Sequence, residues 1–500
     1  MKKYDDIVVG SGISGLTLAL LLGLNGHRVL LLEKNTHIGG ALTRFYREGI
    51  PFDTGFHFTG GFYKNGIFHD MLTVLGIRDC IQPIFFSGEQ YNQFIFETEQ
   101  IAYDMPPGVQ TLKKKLKEYF PGEYTAINQY FDMAEDVHAR TVSIDLSEIS
   151  LSPNFLDEDF VSLDDVLGQL TENRLLKGLL SGYSMCYGVK PAEISFANHS
   201  RVCFSMYESI ARVKDGGEAF IQSFQRRFLG LDIEIMCDRY ITNCVDIKDN
   251  RVGRFVLNTC EEVTCNHCIF TIHPQEVLKL LPKEHLKKMI IDRVSAFEPS
   301  AGFFSVFGIV KEGDSADISD FSMVSLFPTS DMNQLLDPGY TGLPALVIIR
   351  SRETVNGKPY QIVNAFEPSF PEHVVEWKDS KVGNRPLGYQ NYKKQQVDSI
   401  TKRIGEFYPE YEGSFKIMEA ASMLTFRDYL HSPYGSAYGI KQKVGQHNLL
   451  GKLPLRNIYV AGQSSVLPGL VGAMMSSFIV GRSIVGKEIY NSFIRQRLCN

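Results

Sequence analysis

The chain has 500 residues, with 51 Lys and Arg against 57 Asp and Glu and a formal net charge of −6. Apolar residues make up 44% and charged residues 22%, ordinary globular usage that excludes a disordered, collagen-like or disulfide-stapled chain. The length predicts about three domains of roughly 150 residues, or two large interleaved ones, and the mild acidity argues against nucleic-acid binding.

In chain order, the first signal is a complete dinucleotide-binding unit. Tyr4 to Val9 reads as a buried parallel strand, Gly10-Ser11-Gly12-Ile13-Ser14-Gly15 as a tight turn, and Leu16 to Asn25 as a helix. His27 to Leu32 then reads as a second strand, ending at Glu33. Each part has a job. Gly10 permits the turn, Gly12 lets the backbone approach a pyrophosphate, and Gly15 lets helix and strand pack closely. The helix start offers free N–H groups and its positive dipole end to phosphate. Glu33 is placed to accept hydrogen bonds from a ribose. The uncharged run from Ile7 to Gly26 after Met1-Lys2-Lys3 has the outline of a signal peptide or spanning helix. Asp5 and Asp6 in its positive flank, and five glycines within it, argue against both. No transmembrane helix is expected.

The extension after Glu33 favours FAD over a freely exchanging nicotinamide. Lys34 leads to Gly39-Gly40-Ala41-Leu42-Thr43-Arg44, then to Phe52-Asp53-Thr54-Gly55-Phe56-His57. A flavin held permanently needs backbone that follows it outwards, and paired glycines permit close approach. The far end of the chain supplies a complement. Asn457 to Ala461 reads as a buried strand stopping at Gly462-Gln463. Leu467-Pro468-Gly469-Leu470-Val471-Gly472-Ala473 then opens a helix rich in small residues, whose N-terminus would face the pyrimidine side of a flavin. Two such elements about 450 residues apart predict a cofactor domain built from both termini.

Between them, residues 66–150 read as helical, interrupted by an aromatic strand-like patch at Ile84 to Phe86 and Phe94 to Phe96. Lys113-Lys114-Lys115 reads as a solvated helix face, with peripheral membrane contact as the alternative. Residues 163–212 and the run to Leu229 read as helices. Ile233 to Cys244, Val252 to Leu257 and a Cys-rich segment read as strands, with a helix from Gln275. Residues 296–366 alternate apolar and polar, as antiparallel sheet flooring a substrate cavity, and a helix is expected from Tyr392 to Glu406. Nine scattered Cys favour a reducing cytoplasm over a disulfide framework. Cys260, Cys265 and Cys268 invite a zinc reading, but their surroundings read as a β segment without a second ligand pair. No metal site is expected.

These motifs resemble a known family: the FAD-dependent oxidoreductases that include phytoene desaturase, carotenoid isomerase and retinol saturase. Ile7 to His57, and Gly462-Gln463 with Gly469 to Ala473, are most similar to the retinol saturase and carotenoid isomerase branch. Tyr187-Gly188 with Pro191, Lys214-Asp215-Gly216-Gly217, and Thr425 to Gly439 with its Pro433, Gly435 and Tyr438 are weaker echoes. Met423 departs from the family's usual Pro. Ala41 stands where amine-oxidase relatives carry Arg. Gln463 replaces an acid that many relatives use at the flavin ribityl.

The resemblance implies an α/β fold: a discontinuous Rossmann-type FAD domain with an α+β substrate domain on a mixed or antiparallel sheet. The expected division assigns 1–65, 213–290 and 421–500 to the FAD domain, 66–212 to a mainly helical cap, and 291–420 to the substrate domain. It also implies that the backbone at Ile241 touches adenine. His57 and Tyr438 are the candidate proton donors. Arg427, with Tyr429, would line the flavin's front, cavity wall being the plainer reading of each. Arg44 would steady the cofactor or lie in solvent. The implied reaction is saturation of a carbon–carbon double bond in a long apolar polyene, with desaturation, cis–trans isomerisation and a non-catalytic flavin-bound lipid carrier as alternatives. With only one glycine fingerprint, electrons would come from an external NAD(P)H or a partner reductase. The expected location is cytoplasmic or at a membrane surface.

Overall fold

The computed structural model describes residues 2–86, 92–152, 154–311 and 321–499. Two sheets organise the chain. The first orders its strands as Ile233–Met236, Val29–Leu32, Lys2–Val9, Glu262–Phe270, Arg254–Leu257 and Ile241–Val245. Ile458–Val460 pairs in parallel with the end of Glu262–Phe270. The strands from Ile233–Met236 to Glu262–Phe270 are mutually parallel. Their central members are continuous apolar runs, as strands covered on both faces must be. Val29–Leu32, for instance, is buried at every position. The Cys-rich segment is thus an interior strand, and strands from residues 2–32, 233–270 and 458–460 meet in one sheet.

The two termini lock together through small residues. Helix Ile13–Leu24 packs along Gly469–Val485. Ser14 Oγ and Ser477 Oγ lie 2.6 Å apart, and Ser477 Oγ donates to the Ser14 carbonyl at 2.8 Å. A Cβ on Gly481 would meet Leu21 Cδ2 at 2.4 Å. The helices are close because Gly481 lacks one. Met474 and Met475 are buried in this core.

The second sheet runs Phe415–Ala421, Gly302–Lys311, Lys358–Ser369, Leu346–Val355, Phe321–Phe327, Asn92–Phe96 and Ile101–Asp104. It is mixed, because Phe321–Phe327 and Asn92–Phe96 are parallel while its other pairs are antiparallel. Helix Leu387–Phe407 covers one face through Ile400 and Ile404. Helices between Val109 and Glu208 share a core with the other face.

Several sequence expectations need correcting. The aromatic patch at Phe94 belongs to the substrate sheet, and Ile101–Asp104 extends it, although the region was read as helical cap. Ile101–Asp104 is short and half-exposed, so it carries no clear alternation. Ile210–Val213 is a strand inside a run read as helix; its four residues are all buried. The edge strand Phe415–Ala421 was missed. Part of the predicted 296–366 sheet, residues 312–320, lies outside the described residues. Among the described residues, no helix is long and apolar enough to cross a membrane.

Candidate cofactor and substrate site

A cavity of about 1420 Å³ runs from the glycine turn to the inner face of the second sheet. It opens at the carboxyl ends of the parallel strands, where such sheets bind ligands. Gly10 has φ +98°, and a Cβ on Gly15 would stand 1.8 Å from the Gly10 carbonyl oxygen. Gly12 differs: a Cβ there would meet nothing within 4 Å, because it would project into the cavity. Helix Ile13–Leu24 starts at Gly12 with no side-chain cap, leaving its first N–H groups directed at that space. The long C-terminal helix also begins uncapped, after Pro468, and Gly469 and Leu470 line the same cavity. Two uncapped helix N-termini flanking one cavity, with a glycine cradle between them, suit a ligand that carries a pyrophosphate and a second electron-rich group. The residues present fit FAD.

Glu33 holds the turn while facing the cavity. Its carboxylate accepts from Ser11 N at 2.9 Å, Ser11 Oγ at 2.5 Å and Asn35 N at 2.8 Å. With about four acceptor sites on a carboxylate, one remains for a ribose hydroxyl. Gly39 at φ +124° and Gly40 at φ +54° let the following loop pass beside Gly12, whose Cα would lie 3.1 Å from a Cβ on Gly40.

All the residues expected to hold the cofactor line this cavity except Gly15, Thr43, Asp53, Val471 and Gly472. Each of these five acts one layer back. Gly15 permits the close packing already described. Thr43 Oγ1 donates to the Gly40 carbonyl at 2.8 Å and closes that turn. Asp53 pairs with Arg44 at 2.9 Å and accepts from Gly217 N at 3.2 Å, at the start of helix Gly216–Phe228. Val471 is partly buried and packs against the apolar core. A Cβ on Gly472 would meet the Leu467 carbonyl oxygen at 2.1 Å, so that glycine sets the helix against the preceding loop. Thr271, Ile272 and His273 were missed, yet they line the site at the end of the neighbouring parallel strand. Thr271 Oγ1 donates to the Val9 carbonyl at 2.9 Å. The signal was present: the residues after a strand adjacent to the glycine-turn strand sit at the same crevice.

Among the candidate catalytic residues, His57 and Tyr438 share one part of the cavity. His57 packs on Phe366 with ring centroids 4.5 Å apart. Tyr438 packs on Phe303 at 6.1 Å, and Phe303 on Phe366 at 6.2 Å. Burial pushes the His57 imidazolium down to about 4, against the raising effect of Asp53, so the ring is neutral near pH 7. Burial pushes the Tyr438 hydroxyl well above the ordinary phenol range, so it keeps its proton. Arg427 also lines the cavity, with its guanidinium donating to the carbonyls of Lys378 and Ser380 and to Asp428 at 2.8 Å. It fastens a loop. Tyr429 is 61% exposed and outside the cavity. Arg44 is neither solvated nor on the cofactor wall. It is buried between Asp53 and Glu353.

The model of the NAD(P)-binding Rossmann-like domain matches residues 8–73. All-trans-retinol 13,14-reductase of Danio rerio is 26% identical across 98% of this chain and 87% of its own length. The similarity to proteins of that name runs over nearly the whole chain. Prolycopene isomerase 2 of an Oncidium hybrid cultivar is 29% identical over 32% of the chain and 27% of its own length. In fold, the chain resembles cyclohexylamine oxidase of Brevibacterium oxydans, with TM-score 0.60 at 12% identity, covering 99% of each chain. Sequence relatives, fold and the built cofactor cradle together mark it as a flavin-dependent oxidoreductase.

Proposed function

We propose that the chain saturates a carbon–carbon double bond in a long, apolar, retinoid- or carotenoid-like polyene. The observation that carries this is the arm of the cavity beyond His57. Its walls include the apolar side chains Phe94, Met323, Val347, Ile349, Phe303 and Phe366, all of them from strands of the second sheet that face the cavity together. Apolar surface transferred into such walls is stabilised by about 25 cal/mol per Å². An ammonium group would be desolvated against those apolar side chains. Whole-length similarity to proteins named all-trans-retinol 13,14-reductase supports saturation over isomerisation, for which the similar protein covers a third of the chain.

Reduced FAD, when bound, would supply a hydride to one alkene carbon; the neighbouring carbon needs a proton from the protein or solvent. Both candidates hold a proton at this part of the cavity, the phenol O–H of Tyr438 and the N–H of the neutral His57 ring, and Tyr438 is the one tested by substitution. His57 would shape the slot through its contact with Phe366. Saturation consumes two electrons per turnover. An external nicotinamide or a partner reductase would deliver them, since the one glycine fingerprint serves the flavin. A soluble protein that visits a membrane surface for its substrate fits this reading.

The test is to supply reduced holoprotein with a panel of retinoids, carotenoids and polyene acids and weigh the products. A gain of two mass units supports saturation. A loss of two, or an unchanged mass with altered retention, transfers the chain to desaturation or isomerisation, and no turnover leaves a lipid carrier. Tyr438→Phe is expected to leave flavin reduction intact and slow reoxidation by the polyene at least tenfold. Reoxidation at the wild-type rate, followed by stopped-flow absorbance, would move the proton source elsewhere.

A further inference from the structure

The floor of the apolar arm is one cross-strand row of the second sheet. Ser305 pairs with Phe366, Phe366 with Val347, Val347 with Ser325, and Ser325 with Phe94. Residues directly opposite one another share a face, so all five side chains project to the cavity side. His57 sits on Phe366. At the other end Phe94 packs on Tyr183 with centroids 5.2 Å apart and closes against Gly182, where a Cβ would stand 2.5 Å from the Phe94 ring.

Two serines interrupt this apolar row. A buried hydroxyl without a partner costs free energy, and each such case calls for a reason. Ser305 Oγ is covered and has no partner. Ser325 is 4% exposed and lines the cavity. Among the described residues its hydroxyl also has no partner, yet it is not sealed off as that of Ser305 is. Alanine or valine would pack this position without an unpaired polar atom. A hydroxyl facing the closed end of an apolar slot is suited to a polar atom brought in by the ligand.

We propose that Ser325 is a specificity-determining residue: it binds the polar terminus of the polyene, and its separation from the part of the cavity that His57 and Tyr438 share selects the double bond that reacts. This rests on the polyene-reductase reading. Phe366 and Ser325 are two strand spacings apart, about 10 Å, so the reacting bond lies that far from the polar end. The terminus is a neutral hydroxyl or carbonyl. A carboxylate would lie against a row that itself carries no cation and would lose its hydration uncompensated there.

The experiment uses flavin-loaded full-length protein and two probes of equal length: a conjugated polyene alcohol and the hydrocarbon lacking its hydroxyl. Ser325→Ala removes one oxygen atom, and flavin content and Tm verify the fold. In the variant, the alcohol is expected to bind three- to tenfold more weakly, the loss of one ordinary hydrogen bond, while the hydrocarbon binds as before. The alcohol is also expected to yield products reduced at more than one position. An unchanged ratio of alcohol to hydrocarbon affinity, with a single unchanged product, overturns the role of Ser325 and leaves the polyene reading standing. Failure of both probes to bind the wild-type protein overturns that reading, and this proposal with it.

Discussion

Gly12 and Gly15 lie three residues apart and carry opposite constraints. A side chain at Gly12 would enter open cavity, at φ −64°, with no neighbour within 4 Å. One at Gly15 would collide with the backbone of Gly10. Gly12→Val is therefore expected to purify folded but colourless, with the cofactor's space filled and the protein core untouched. Gly15→Val is expected to lose folded yield and Tm. Flavin absorbance and thermal denaturation on both variants check the pair; a yellow Gly12→Val protein would place the pyrophosphate elsewhere. Glu33 shows where the sequence reading was incomplete. Its position predicted a ribose contact, whereas its bonds to Ser11 and Asn35 show that it also braces the turn.

At the scale of elements, a buried ion network joins the parts of the chain around the cavity. Arg44 on strand Arg44–Arg47 pairs with Asp53 on Ile50–Asp53 and with Glu353 on Leu346–Val355 of the substrate sheet, at 2.9 and 2.6 Å. Arg212 on Ile210–Val213 pairs with the same Glu353 oxygen at 2.6 Å. Their side chains are 5–14% exposed. Two arginines and two acids balance in charge, so the cluster tolerates burial. Removing one member leaves an uncompensated charge, which costs about 3–5 kcal/mol. Glu353→Ala is expected to lose stability of that order, read as a lower urea midpoint. A midpoint equal to wild type would show that water reaches the arginines. Asp53 adds a second link: a Cβ on Gly216 would strike its carboxylate at 1.9 Å, so helix Gly216–Phe228 abuts the cofactor loop because that residue is glycine.

Across the whole molecule, burial sets the response to acid. It pushes His57, His138 and His273 down to about 4 and His199 to about 3, from the ordinary 6.5. His199 is enclosed by the hydroxyls of Tyr130 at 2.7 Å and Tyr187 at 2.8 Å. Below pH 6.5 the unfolded chain binds protons at these sites while the folded chain does not. Stability is then lost as pH falls from about 6.5 towards 4, by up to about 1.4 kcal/mol per pH unit for each group. His27 opposes this. Its hydrogen bond to Asp6 raises its value, so its contribution is present in acid and fades as pH rises through the folded value. Burial raises the Glu367 carboxyl to about 7, which opposes the trend in the same way, whereas His373 and His431 are also depressed. With six depressed imidazoles against these two groups, the urea midpoint of the flavin-free protein is expected to be lower at pH 5 than at pH 7. Equal midpoints would show that those rings are hydrated.

The glycine turn, the acid after the second strand and the small-residue helix near Gly472 were legible without coordinates. A tight turn, a close backbone approach and a free helix start each demand particular residue types at short spacing. The division of labour among those residues needed the fold, because only neighbours distant in sequence show that Asp53 faces Arg44 and Gly217 rather than the cavity. The same holds for the row from Ser305 to Phe94, which assembles positions 305, 366, 347, 325 and 94. Alternation along each strand said which residues share a face. Register between strands, set by packing over the whole sheet, decided which of them meet at the floor of the cavity and so which hydroxyls face it.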